Sequence, residues 1–73
     1  MTTKLDLDNI FTYHAPHGSQ VDRYALLRTQ ARLFAEMIAQ LTPESAEQTL
    51  AIRNVQEAVM FANAAIAIHE PAP

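Results

Sequence analysis

Few residues in this 73-residue chain have the chemical reach to act on anything. His14 and His17 stand three apart, Ser19 and Ser45 are candidate nucleophiles, and Arg23, Arg28 and Arg32 punctuate the stretch between them. Catalysis needs an activated nucleophile, a matched acid and base, or an open metal site. Both serines fall where helices begin and read as caps, and no two carboxylates are spaced as a working pair. With a single glycine there is no phosphate-cradling loop. His14 and His17, even with His69 added, lack the usual partner set of a zinc site and are read as hydrogen-bonded or exposed side chains. The chain is therefore read as a binding protein without cofactor or metal, not as an enzyme. Arg28 is the exception to this quiet inventory. It sits beside Leu26-Leu27 and Ala31, at the edge of an apolar stripe, where a charge must be paired or hold a ligand. Tyr24 lies one turn before it, and a ring beside a guanidinium can stack on a nucleobase while meeting a phosphate. The competing reading pairs Arg28 with an acidic residue of a neighbouring subunit and makes Tyr24 plain core. Asn63, alone among apolar neighbours, is read as a buried hydrogen-bonding residue that fixes register. Arg23, Arg32 and Arg53 are read as solvated face residues.

These residues must be positioned by helices. Residues 1–18 show no helical period, and Tyr13-His14-Ala15-Pro16-His17-Gly18 reads as an extended segment ending in a turn, since Pro16 drives Ala15 to extended geometry. Ser19 then caps a first helix over about 20–40, with Asp22 at its positive end. Its stripe of Tyr24, Leu27, Ala31, Phe34, Ile38 and Leu41 is flanked by a second one of Leu26, Leu33 and Met37. Thr42-Pro43 signals the next start, predicting a second helix over about 43–69 with Thr42 as cap and Pro43 in the first turn. So short a break forces an antiparallel αα-hairpin over 19–70. In the second helix Ala51, Val55, Ala58, Ala62 and Ala65 predict the seam that meets the first. Glu70 closes this helix and is expected to fray with the 71–73 tail.

Composition bounds what such a hairpin can be. A chain this short supports one small core, and with no cysteine it has no disulfide to reinforce it. Yet 49% of its residues are hydrophobic, and between Ala58 and Ile68 only Asn63 is polar. A helix apolar all round is covered all round. The expected fold class is all-α: an antiparallel hairpin with an extended N-terminal segment, assembling into a helical homo-oligomer. No stretch suits a signal peptide or bilayer span, which leads to the expectation of a soluble protein without membrane partners. The net charge of −3 argues against nucleic acid polymer as a partner. Between His14 and Arg32, however, three arginines face one acid, Asp22, a local charge of +2 suited to a small anion.

The order Phe11-Thr12-Tyr13-His14-Ala15-Pro16, Gln20, Arg23-Tyr24, Leu27-Arg28, Pro43-Glu44-Ser45 and Glu57-Ala58-Val59-Met60-Phe61-Ala62-Asn63-Ala64-Ala65-Ile66-Ala67 resembles a family of small phage proteins. It is that of the anti-CBASS cyclic-nucleotide sponges, whose helical hairpin domain is shared with the Thoeris anti-defence sponges. The resemblance runs from Phe11 to Glu70. It implies a homo-oligomer, typically a hexamer, that binds cyclic oligonucleotide messengers of bacterial defence without cleaving them, in the cytoplasm of the infected host. It further implies that cyclic dinucleotides lie between subunits, held by the aromatic residue of the YH-x-P segment and a basic residue of the first helix, which match Tyr13 and Arg28. Trinucleotides would use separate pockets served by a basic residue late in the second helix. Here that position, often basic in relatives, is Ile68, followed by His69. The candidate ligand-binding set is Tyr13, His14, Pro16, Tyr24, Arg28 and His69. The alternative is a structural or protein-interaction hairpin without a small-molecule ligand.

Overall fold

The computed structural model describes residues 4–72, so the outermost parts of the expected N-terminal segment and tail, residues 1–3 and 73, lie outside the described residues. It contains a one-turn helix α1 (Leu7–Ile10) and two long helices, α2 (Gln20–Leu41) and α3 (Ala46–His69), with no strand among the described residues. The two long helices run antiparallel side by side, so the chain is all-α and a hairpin, as its periodicity predicts.

α1 corrects the expectation of a wholly extended arm. Asp6 caps it by accepting the Asn9 N–H at 3.1 Å, and Thr12 Oγ1 bonds the Asp8 carbonyl just beyond it. A single capped turn is too short to show a helical period. From Thr12 to Pro16 the chain is non-helical as expected, and it turns at Gly18, whose φ of +55° lies in the left-handed region that costs a side-chain-bearing residue strain. The turn closes with the Gln20 N–H on the His17 carbonyl at 3.1 Å. Ser19 holds the cap position of α2, but its hydroxyl accepts from Arg23 Nε at 3.0 Å and makes no cap bond to the backbone.

The helix junction differs from its expected form. Thr42 does not open α3. It ends α2, with its N–H and its hydroxyl both on the Ile38 carbonyl, and α3 starts three residues later than the sequence suggests. Ser45 is the cap, accepting the Gln48 N–H at 3.1 Å while donating to the Pro43 carbonyl. Ser45 and Gln48 have capping-box spacing, but the Gln48 amide reaches back to the Thr42 carbonyl at 2.9 Å and the Ala39 carbonyl at 3.3 Å. It thus satisfies the carbonyls that the end of α2 leaves without helical partners. Pro43 therefore lies in the connection between helices.

Between the helices, Leu27, Ala31 and Ile38 of α2 are half-buried, and from α3 so are Ala51, Val55, Val59, Ala62 and Ile66. Ala51, Val55 and Ala62 lie in the seam as expected, whereas Val59 and Ile66 take the places expected of Ala58 and Ala65, which are exposed, because a branched side chain places more apolar surface against α2 than an alanine does. Phe34 and Leu41, expected in the α2 stripe, are exposed as well. No apolar side chain among the described residues is fully buried. The molecule is a plate 44 × 37 × 13 Å, one helix thick, with a Cα radius of gyration of 15.8 Å. A compact domain of this length would have a radius of about 11 Å.

Candidate functional site

Two neighbouring clefts hold most of the candidate residues. The first is formed where the N-terminal arm crosses the end of the hairpin, and it is lined by Tyr13, His14, Ala15, His17, Gln20, Ala67, Glu70 and Ala72. The second lies beside it between α2 and α3 and is lined by Tyr24, Arg28, Asn63, Ala64 and Ala67. Ala67 belongs to both, so its missing bulk connects them. The structure brings Tyr13 with His14, and Tyr24 with Arg28. Pro16 and His69 are exposed and line neither cleft, Pro16 in the arm and His69 in the last turn of α3.

The first cleft is held by a polar network around Gln20, the one buried side chain among the described residues at 3% exposure. Its Oε1 accepts the His17 N–H at 3.1 Å, and its Nε2 donates to Glu70 Oε1 at 3.1 Å and, at a long 3.5 Å, to the Ile66 carbonyl. Glu70 also receives both guanidinium ends of Arg23, at 2.7 and 2.5 Å. Charge-assisted fork-to-fork pairs of this kind are the strong hydrogen bonds of proteins. The Arg23 bonds, then that of Gln20, hold the Glu70 carboxyl down at about 2, and Glu70 in turn raises Arg23 further above its ordinary value. Arg23 is thus an ion-pair partner and not the solvated face residue its position implies, and Glu70 caps α3 while anchored to α2. On the other flank Asn9 Nδ2 donates to the Ile68 carbonyl at 3.1 Å, and His14 Nε2 lies 2.8 Å from the Asn9 carbonyl. Since a carbonyl only accepts, that bond requires the ring proton to be on Nε2.

Tyr13 stands out of this frame at 83% exposure. In the second cleft Arg28 is exposed, and it is the one arginine of four without a hydrogen bond or ion pair among the described residues. Arg32 pairs with Glu36 and Arg53 bonds Gln56. Arg28 thus has no acid of its own chain beside it among the described residues. Asn63, expected to be buried and hydrogen-bonded, is half-buried, and its Oδ1 is shut off from solvent with no partner among the described residues. Among those residues, no three His, Cys, Asp or Glu are grouped to hold a metal, and no helix is long and apolar enough to cross a membrane.

The importance of Gln20 and Glu70 was not read from residue type, since a glutamine in a first turn and a glutamate before a proline are common. A signal was nonetheless present. In an antiparallel hairpin the first turn of one helix meets the last turn of the other, which sets Arg23 opposite Glu70.

For binding, the clefts offer an exposed ring, an unpaired guanidinium and amide groups. Neither alone encloses a ligand. The Tyr13 cleft has a volume of about 190 Å³ and the Arg28 cleft is an open depression of about 400 Å³, whereas pockets that bury most of a small ligand run to roughly 300–1,000 Å³.

A family model described as "Acb2/Tad1, hairpin domain" matches residues 3–67. No curated protein and no solved structure matches the chain.

Proposed function

This chain belongs to the Acb2/Tad1 hairpin-domain family, the anti-CBASS and anti-Thoeris sponges, and from that premise we propose that it sequesters a cyclic oligonucleotide messenger of bacterial anti-phage defence. The family's role is that of a cyclic-nucleotide sponge, which binds and does not cleave. The reading for this chain is a site for cyclic dinucleotides around Tyr13 and Arg28, with His14, Pro16, Tyr24 and His69 as further contacts, in the cytoplasm of an infected bacterium. A separate trinucleotide site would have to do without a basic residue at Ile68, with His69 next to it.

The observation that carries this reading is the unpaired Arg28 beside Tyr24 in a cleft adjoining that of Tyr13. A cation left without an acid while Arg23 and Arg32, on either side of it along α2, each have one is suited to an anionic guest, and ring faces nearby suit nucleobases. Because each cleft is too small or too open to enclose such a guest, the site is completed by a second copy of the chain, in a homo-oligomer for which a hexamer is the reading. Symmetry then multiplies one arginine and one tyrosine into a set matching a messenger with several phosphates and bases.

Titration calorimetry with cyclic dinucleotides tests the proposal directly. The wild-type protein is expected to bind at micromolar concentration or tighter, with the ligand recovered intact. Arg28→Ala should weaken binding by about tenfold or more, the loss of one charge-assisted bond pair, with the assembly unchanged by mass. Absence of binding by the wild type overturns the sponge reading. Dissociation of Arg28→Ala into single chains supports a hairpin whose interfaces serve assembly alone.

A further inference from the structure

We propose that Gln20 is a positioning residue, whose side chain clamps the arm from Asn9 to His17 onto the end of α3 so that Tyr13 is presented in its ligand-ready place; this rests on the reading of Tyr13 as a ligand contact. The ring of Tyr13 is 83% exposed, so no packing of its own holds it, and its position depends on how the arm is held at either side. On one side Asn9 Nδ2 bonds the Ile68 carbonyl. On the other side Gln20 engages both ends of its carboxamide: Oε1 takes the His17 N–H of the arm, and Nε2 reaches Glu70 and the Ile66 carbonyl of α3. One buried side chain therefore joins arm, α2 and α3 at the floor of the Tyr13 cleft. A preformed arm costs a ligand less ordering than a loose one, which is how such a clamp raises affinity without touching the guest.

The chemistry of the clamp gives it a signature. In a Gln20→Glu variant the neutral carboxyl keeps both functions, its carbonyl accepting from His17 and its O–H donating to Glu70. Once ionised it can no longer donate, and it faces the Glu70 carboxylate, whose Oε1 lies 3.1 Å from the present Nε2. The charged or titratable groups around this position are His14, His17 and Tyr13 from the arm, Arg23 from α2 and Glu70 from α3. The wild-type protein measured at each pH carries the contributions of those groups.

The experiment compares wild type, Gln20→Glu and Gln20→Met by amide hydrogen exchange of residues 10–17 without ligand and by calorimetry with a cyclic dinucleotide. At about pH 7.5 the glutamate variant is expected to exchange its arm amides, and to lose affinity, by about tenfold relative to wild type. At about pH 4.5, where burial and the facing Glu70 carboxylate favour its neutral form, both should return to within about twofold. Gln20→Met, of similar length without polar ends, should show the loss at both pH values. The proposal is overturned by arms that exchange like wild type, by a loosened arm with unchanged affinity, or by a glutamate variant whose deficit does not depend on pH. A wild type that binds no cyclic dinucleotide overturns the sponge reading, and the role of Gln20 with it. Failure of Gln20 alone leaves wild-type binding intact.

Discussion

Single residues here act mainly through whether their charge is paired. Glu70 is held at about 2 against an ordinary 4.5 by Arg23 and Gln20. A carboxyl whose folded value lies below its unfolded one contributes stability that is fully present above the unfolded value and disappears as pH falls through the folded one. The melting temperature of the wild type is therefore expected to drop as pH falls from about 4.5 towards about 2. In Glu70→Gln this part of the acid slope should be missing, and thermal melts followed by circular dichroism across that range measure the difference. The pair was not legible from residue types, because Arg23 and Glu70 lie far apart in the chain and meet only through the register of the hairpin. Arg28 was legible as a charge needing an explanation. That it has no partner among the described residues could be learned only from where α3 places its own acids.

At the scale of elements, the two long helices follow from their three- and four-residue apolar steps, and the first begins where Gly18 and Ser19 predict. The second does not begin at Thr42, since a threonine before a proline suits the end of one helix as well as the start of the next, and Ser45 with Gln48 offers a cap that also satisfies α2. Ser45→Ala should accordingly destabilise the protein by about 1 kcal/mol, the usual cost of a lost cap. Urea unfolding measures it, with an unchanged slope expected. The one-turn α1 escaped the sequence because four residues carry no period.

For the whole molecule the governing fact is a plate one helix thick in which no apolar side chain among the described residues is fully buried. Phe61 is 73% exposed, and Leu26, Leu33, Met37 and Met60 are exposed too, on a hairpin with no second layer to cover them. Burial of apolar area is the main stabilising term in folding, at about 25 cal/mol per Å², so a chain that leaves this much uncovered gains from joining others. The melting temperature is expected to rise with protein concentration, as it does when subunits stabilise each other by mass action. A native mass that is a multiple of 8.1 kDa should accompany it. Phe61→Asp should lower that mass and reduce helicity at micromolar concentration, as sedimentation and circular dichroism would show. A single-chain mass with a concentration-independent melt would refute this expectation.

The sequence by itself determined the helical hairpin, its family and the surplus of apolar surface, because periodicity, short connections and motif order are local properties that survive without a fold. It also singled out Tyr13 and Arg28. Only the tertiary structure decided which side chains share a cleft, that Arg23 is bound to Glu70 while Arg28 is free among the described residues, and that Gln20 ties three elements together. Those outcomes depend on the register of α2 against α3 and on the path of the arm across their ends. Register is set by the sum of many weak packing contacts, a sum that no single residue announces.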